Sequence, residues 1–449
     1  MMQEENKAPK ILIFTMTSWN SKVGANTWAS LVNGYDSSKL ANVYLREEIP
    51  DSNICSKYFC ISENRVIKSI FNRKIKTGKV VIPKFLEEDT ATDDYIAHKN
   101  RYDKMKRKRR YSMLLIRELL WKFGKWKTRE LNDFIDEFKP DIILHSMDGY
   151  IHMNRIVKYA IKRSGAKAIG YVWDDNFSYK QSKKIGHNIY RFFQRISLKK
   201  LASRTDGFFA ITPKTKMEVD AFFGVDSVVL TKPLNSIPNL HNYSNVEYPL
   251  NMVYTGNLLI GRDKALIQIS KAIASLNQTE KWLTLDVYTQ TSISQEDKAV
   301  IENGYCKVHS AITQAEAIEV QKTADVLLFL ESMDKSNNLA RLSFSTKITD
   351  YFSAGKCIFA VGHNDLAPIQ YLKDNDTALV VNAEEELLEQ LSKLKDKSIL
   401  SRYSENAVLC GTKNHNENKI KNDFIEMIEK VLKDKNDEGV TNKRNVRNR

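Results

Sequence analysis

Cysteines, prolines, glycine fingerprints and long apolar runs are all scarce in this 449-residue chain. Its five cysteines, Cys55, Cys60, Cys306, Cys357 and Cys410, are odd in number and widely spaced. They form no CxxC pair and have no neighbouring histidine pair, so neither a disulfide framework nor a zinc site is expected. Only nine prolines among 28 % charged residues exclude a collagen-like or disordered chain. The 17 glycines include no GxGxxG, so a dinucleotide fingerprint is missing. No stretch approaches the roughly 18 apolar residues that cross a bilayer. The opening MMQEENKAPK is polar rather than basic-then-apolar, unlike a secretory signal. No solenoid or propeller period is found. The expectation is a cytoplasmic protein, attached at most peripherally to the inner face of a membrane.

What the chain does have is enough apolar sequence for more than one core, at 42 % hydrophobic residues, and a formal charge of +14. That charge is local. Residues 99–129 hold thirteen basic residues against Asp103 and Glu118, a net +11, and the tail after Gly439 adds Lys443, Arg444, Arg447 and Arg449. The remainder is close to neutral, which argues against a protein that wraps nucleic acid.

Apolar runs alternate with helical patterns in two series. Ile11–Phe14, Ile142–Leu144, Ala168–Val172 and Gly207–Ile211 read as buried parallel strands, separated by helical stretches at 129–138, 151–163 and up to Ala202. Thr231–Pro249, with three prolines among Asn, Ser and His, reads as a linker. The alternation then restarts with strands at 251–255, 283–288, 325–330, 357–361 and 378–381. The pattern predicts an α/β protein of two facing Rossmann-like domains, at 1–232 and 250–416, with a cleft between them and a linker at 233–249. A helix at about 417–435 is expected to pack back on the first domain, followed by a flexible basic tail at 436–449.

The most informative stretch is Leu342 to Lys356. Ser345 suits a helix N-cap and Gly355 a C-terminal glycine stop. A helix N-terminus offers unpaired amides and partial positive charge to a diphosphate. Lys347 would add a full charge, Thr346 lies beside it, and Asp350 one turn on could accept from a ribose diol. Lys347, Asp350-Tyr351-Phe352, Ala354-Gly355-Lys356 and the strand Cys357–Val361 resemble the signature of GT-B glycosyltransferases, in particular the family-4-like retaining enzymes of bacterial polysaccharide assembly. Tyr254-Thr255-Gly256-Asn257, followed by Arg262 and Lys264, extends the resemblance to most of residues 10–430.

The resemblance implies a hexosyltransferase that moves a sugar from a nucleoside diphosphate-sugar to a growing, lipid-linked glycan with retention of configuration, without cofactor or metal. It implies donor contacts from Gly24, Gly256, Asn257, Lys264, Ser310, Glu331, Ser345, Thr346 and Asp350, with Arg262 and Lys347 on the diphosphate. Two departures stand out. An acidic residue that relatives carry eight positions before Asp350 falls on Leu342, leaving Glu331 as the nearest carboxylate. A histidine that relatives carry after the strand 168–172 is replaced by Trp173-Asp174-Asp175. Asp174 is the catalytic candidate there, with Asp175 behind it; the pair also resembles an Asp-x-Asp metal grip, but no metal site is expected on this fold. His145, at the edge of its strand, reads as a hydrogen-bond partner or a site residue.

Several alternatives stay open. Lys347 and Asp350 also suit the solvated face of an amphipathic helix. The whole chain could be a non-catalytic GT-B partner subunit or a sugar-nucleotide epimerase. The 99–129 segment interleaves its charges with Met113, Ile116, Leu120 and Phe123 at helical spacing, plus Leu114, Leu115, Trp121 and Trp126. It reads either as an ordinary solvated face or as an interfacial helix on anionic lipid, with Trp at the boundary. No nucleic-acid partner is expected.

Overall fold

The computed structural model describes residues 8–19, 27–83, 111–234 and 236–446, with side chains as far as 433. Gly24 and the first part of the basic segment, 99–110, lie outside the described residues. The chain divides into two units: 1–179, 183–230 and 421–449 in the first, 180–182 and 231–420 in the second.

The first unit is built on one eight-stranded sheet. Its strands are β1 (Ile11–Thr15), β2 (Leu40–Tyr44), β3 (Lys57–Ile61), β4 (Gly78–Val81), β5 (Ile142–Ser146), β6 (Lys167–Val172), β7 (Gly207–Ala210) and β8 (Val228–Val229). The order is β4-β3-β2-β1-β5-β6-β7-β8, parallel except for the antiparallel β4 edge. β1 and β5 are buried throughout, because helices cover both faces of a parallel sheet, and both are apolar except at their C-terminal ends, Thr15 and His145-Ser146. The second unit holds six parallel strands: β9 (Leu250–Thr255), β10 (Leu283–Tyr288), β11 (Cys306–His309), β12 (Val326–Leu330), β13 (Cys357–Val361) and β14 (Leu379–Val381), in the order β11-β10-β9-β12-β13-β14. Both are doubly wound Rossmann-like sheets. The order reverses beside the first strand of each, between β1 and β5 and between β9 and β12.

Five helices matter below: α1 (Tyr111–Phe123), α2 (Ile185–Ala202), α3 (Arg262–Leu276), α4 (Lys347–Ala354) and α5 (Glu417–Val446). Over Phe424–Val431, α5 lies against the first sheet, with the Phe424 ring 6.0 Å from that of Phe209 and Met427 and Val431 beside Gly207. Its backbone is helical as far as Val446, through most of 436–449. The proline-bearing stretch 231–249 is packed into the second unit. Tyr243 is buried there, donating to the Asp325 carbonyl at 2.7 Å and accepting from the Cys357 amide at 2.8 Å. All five cysteines are buried free thiols.

Candidate functional site

The second sheet brings its chemistry to the switch point. Gly256 and Asn257 follow β9, Glu331 follows β12, and β9 and β12 are neighbours. Open α/β sheets bind ligands at this place. Arg262, the first residue of α3, donates to Glu331 twice, Nε to Oε2 at 3.0 Å and Nη2 to Oε1 at 2.6 Å. Its Nη1 reaches Asn257 Oδ1 at 2.9 Å. Burial works against the Arg262 charge, and the buried Glu331 carboxylate outweighs it, so the guanidinium is held above its ordinary pKa. The two residues expected as separate donor contacts are thus one bidentate pair.

Lys347 opens α4. Its Nζ donates to the Tyr254 hydroxyl at 3.2 Å and lies 4.4 Å from the centre of that ring. Burial first, then the Arg262 charge, push the amine down to about 7, against the pull of Glu331 and Asp350. Gly256 makes room for it. Its φ is +143°, and a Cβ there would stand 2.1 Å from Lys347 Nζ. Asp350, one turn along α4, accepts from the buried Lys232 Nζ at 3.2 Å.

The start of α4 differs from expectation. Ser345 is not the N-cap: the cap position is Thr346, with helical backbone (φ −59°, ψ −21°) and no side-chain capping bond. An N-cap needs an extended residue whose oxygen can reach back over the first turn. Here a tight turn, Ile348 N to Ser345 O at 3.0 Å, already closes that end. Lys264 is exposed on α3 and does not join the cluster. Ser310, also exposed, follows β11 beside a pair formed by Tyr288 and His309, whose rings stack at 4.4 Å. Asp286 Oδ1 fixes His309 Nε2 at 2.6 Å. Leu342 is fully buried, so no carboxylate stands in its place.

In the first unit, Asp174 follows β6 and Asp148 follows the adjacent β5. Burial pushes the Asp148 carboxyl up to about 6, the Ser146 hydroxyl opposes that, and the Asp174 charge adds to it. Asp175 instead accepts from the Ser178 amide at 2.9 Å and its hydroxyl, so the two adjacent carboxylates are turned to different partners. His145 lies within β5, and burial holds it neutral, down to about 4; it is a core residue. Trp121 and Trp126 are buried as well, Trp121 donating to Glu63 Oε2 at 3.0 Å. This corrects the expectation of tryptophans at a membrane boundary, because both indoles are taken up by the core.

Sequence reading missed Tyr254, Lys232 and Asp148. Asp148 had a visible signal: it follows β5 by two residues as Asp174 follows β6. Tyr254 stood inside the quoted Tyr254–Asn257 motif without a role of its own; Lys232 had no signal, since a linker lysine gains its role only from Asp350 far along the chain.

No family model matches the chain, and no curated protein matches its sequence. Solved structures do. The α,α-trehalose 6-phosphate synthase of Burkholderia multivorans aligns with a TM-score of 0.59 at 10 % identity, over 96 % of this chain and 98 % of its own. HepE of Anabaena, solved with UDP-glucose, aligns at 0.57 and 10 % identity, over 94 % and 100 %. A glycosyltransferase from Rickettsia africae aligns at 0.55 and 12 % identity, over 94 % and 98 %. The fold these likenesses show is that of the GT-B glycosyltransferases.

Proposed function

We propose that this GT-B chain is a retaining glycosyltransferase that moves a hexose from a nucleoside diphosphate-sugar to a growing, lipid-linked surface glycan. The observation that carries the reading is the buried cluster at the second switch point: a neutralised Arg262–Glu331 pair, and a Lys347 amine held over Tyr254 in the space that Gly256 leaves open. A diphosphate is the ligand class such a cluster suits, since it brings the negative charge that a desolvated lysine lacks. Arg262, Lys347 and the first amides of α4 stabilise the departing diphosphate. Asp350 takes the ribose, with Asn257, Ser345 and Thr346 around the phosphates, and the Tyr288–His309 pair beside Ser310 meets the base edge. A uridine nucleotide is the favoured donor class, by analogy with HepE and its bound UDP-glucose.

In the first unit Asp174 is the carboxylate assigned to the transfer step, with Asp148 beside it. The place of work is an anionic membrane surface, reached through the 99–129 region. Calorimetry with UDP- and GDP-sugars tests the donor assignment. Lys347→Ala should weaken binding by about 10- to 100-fold and Lys264→Ala by less than about threefold. Equal effects would remove the diphosphate assignment, and no binding to any common donor would favour a non-catalytic partner subunit.

A further inference from the structure

Helix α2 is turned inside out. The residues it buries are mostly polar or amphipathic: His187, Tyr190, Arg191, Gln194 and Ser197 face the protein along with Leu198 and Leu201. Its outward face carries Ile185, Ile189, Phe192, Phe193 and Ile196, with Ile185 79 % exposed. The inward polar groups have work there. Gln194 donates to the Gly149 carbonyl at 2.6 Å, Tyr190 to the same oxygen at 3.2 Å, and Arg191 to the Asp175 carbonyl at 3.1 Å. They brace the loops that hold Asp148 and Asp174. That accounts for the buried face and leaves the apolar outer face unexplained by folding.

Helix α1 packs beside α2, with the Tyr111 ring 5.3 Å from that of His187. It too shows apolar side chains to the outside: Met113, Ile116, Leu119 and Phe123, with Ile116 55 % exposed. The charges exposed on the two helices and at their ends are basic among the described residues, and the one acid paired to α1 from outside, Glu63, is taken up by Arg117. The two helices contain a single carboxylate, Glu118, which is buried against His152 at 2.9 Å. Exposed Lys183 and Lys184 precede α2, exposed Lys199 and Lys200 end it, and exposed Lys122 ends α1. In the sequence, α1 is entered directly from the basic run Lys104 to Arg110. Among the described residues no helix is long and apolar enough to cross a membrane.

We propose that the outer faces of α1 and α2 together form a monotopic membrane-binding surface that inserts its isoleucines and phenylalanines at the acyl boundary of an anionic bilayer. Large apolar side chains flanked by lysine, with no exposed acid on the two helices themselves among the described residues, have the composition of interfacial helices. A second copy of the same face would set lysine against lysine, which is why lipid is the occupant chosen here. This deepens the membrane part of the proposal above by naming the lipid-facing elements. It does not depend on the donor assignment.

The test is co-sedimentation of the full chain with phosphatidylcholine vesicles and with vesicles containing roughly 30 % phosphatidylglycerol. The wild type should pellet with the anionic vesicles and largely stay in solution with the neutral ones. Ile185→Asp and Ile116→Asp should each lower the partition coefficient by about tenfold, with thermal midpoint and nucleotide affinity unchanged. Leu409→Asp, exposed on the second unit, should bind vesicles like the wild type. Wild-type partition in both face variants, or no wild-type binding to anionic vesicles, would overturn the proposal. So would a lipid-free dimer that the same variants dissociate, since the face would then be covered by a second copy. Intact nucleotide binding alongside failed sedimentation would leave the donor reading standing.

Discussion

Lys347 is a cation that the free protein barely keeps charged near neutrality. With its amine pushed down to about 7 by burial and by Arg262, the lysine is mostly protonated below that pH and mostly neutral above it. A bound diphosphate favours the charged form, so above pH 7 binding must take up a proton. Affinity for UDP should therefore fall as pH rises from 7 to 9, by up to about tenfold per unit, once the nucleotide's own ionisation is subtracted. Calorimetry in buffers of different ionisation enthalpy should show proton uptake rising from about one half at pH 7 towards one at about pH 8 to 9, abolished in Lys347→Ala. A pH-independent affinity without uptake would mean that the lysine does not meet the phosphates. Asp350 is a second residue with two readings. Asp350→Leu leaves the buried Lys232 amine without its carboxylate and should destabilise by about 3 to 5 kcal/mol. Adding Lys232→Met should restore most of that stability but not nucleotide affinity, if Asp350 also serves the ribose. Restored affinity in the double variant would make the carboxylate purely structural.

At the scale of elements, α4 is stopped rather than started by its sequence. Its amino end has no side-chain cap, whereas Gly355 ends it at φ +64°. A Cβ on Gly355 would stand 2.1 Å from the Asn239 carbonyl oxygen, so the glycine also lets segment 231–249 lie close. Gly355→Ala should cost at least about 2 kcal/mol in thermal or urea unfolding; a midpoint within error of the wild type would mean that this contact is not made in solution. Strands β1, β5, β12 and β13 were legible because a parallel strand covered on both faces is built on a near-continuous apolar run. Pairings were not legible. Arg262 and Glu331 stand 69 residues apart, and Lys232 and Asp350 stand 118 apart, so only the fold makes them partners. The pattern also marked a helix ending at Ala202, now α2, without saying which face turns inward, because that depends on the carbonyls of Gly149 and Asp175. Ser345 misled for a related reason: two adjacent hydroxyl residues precede α4, and the local turn suits neither as a cap.

The molecule as a whole carries the same acid-sensitive device in each of its two units. His145 in the first sheet and His415 in the second unit are both fully buried and both pushed down to about 4. His415 is fixed as a neutral ring by Tyr371 Oη at 2.9 Å and the Lys232 carbonyl at 2.9 Å. His145 faces Thr205 Oγ1 at 3.2 Å. In the unfolded chain each would titrate near its ordinary 6.5, so between 6.5 and 4 the unfolded state binds more protons. The stability tied to each neutral ring is therefore full above about 6.5 and is lost as pH falls towards 4, by about 3 kcal/mol per histidine. Because the two rings sit in separate units, the loss is local to each. Hydrogen exchange at pH 7 and pH 4.5 should show both sheets weakening in acid. His145→Gln should flatten that pH dependence only in the strands of the first sheet, and His415→Gln only in the second unit. If either variant altered both units equally, or if acid weakened the wild type no more than the variants, the buried histidines would not be its point of failure.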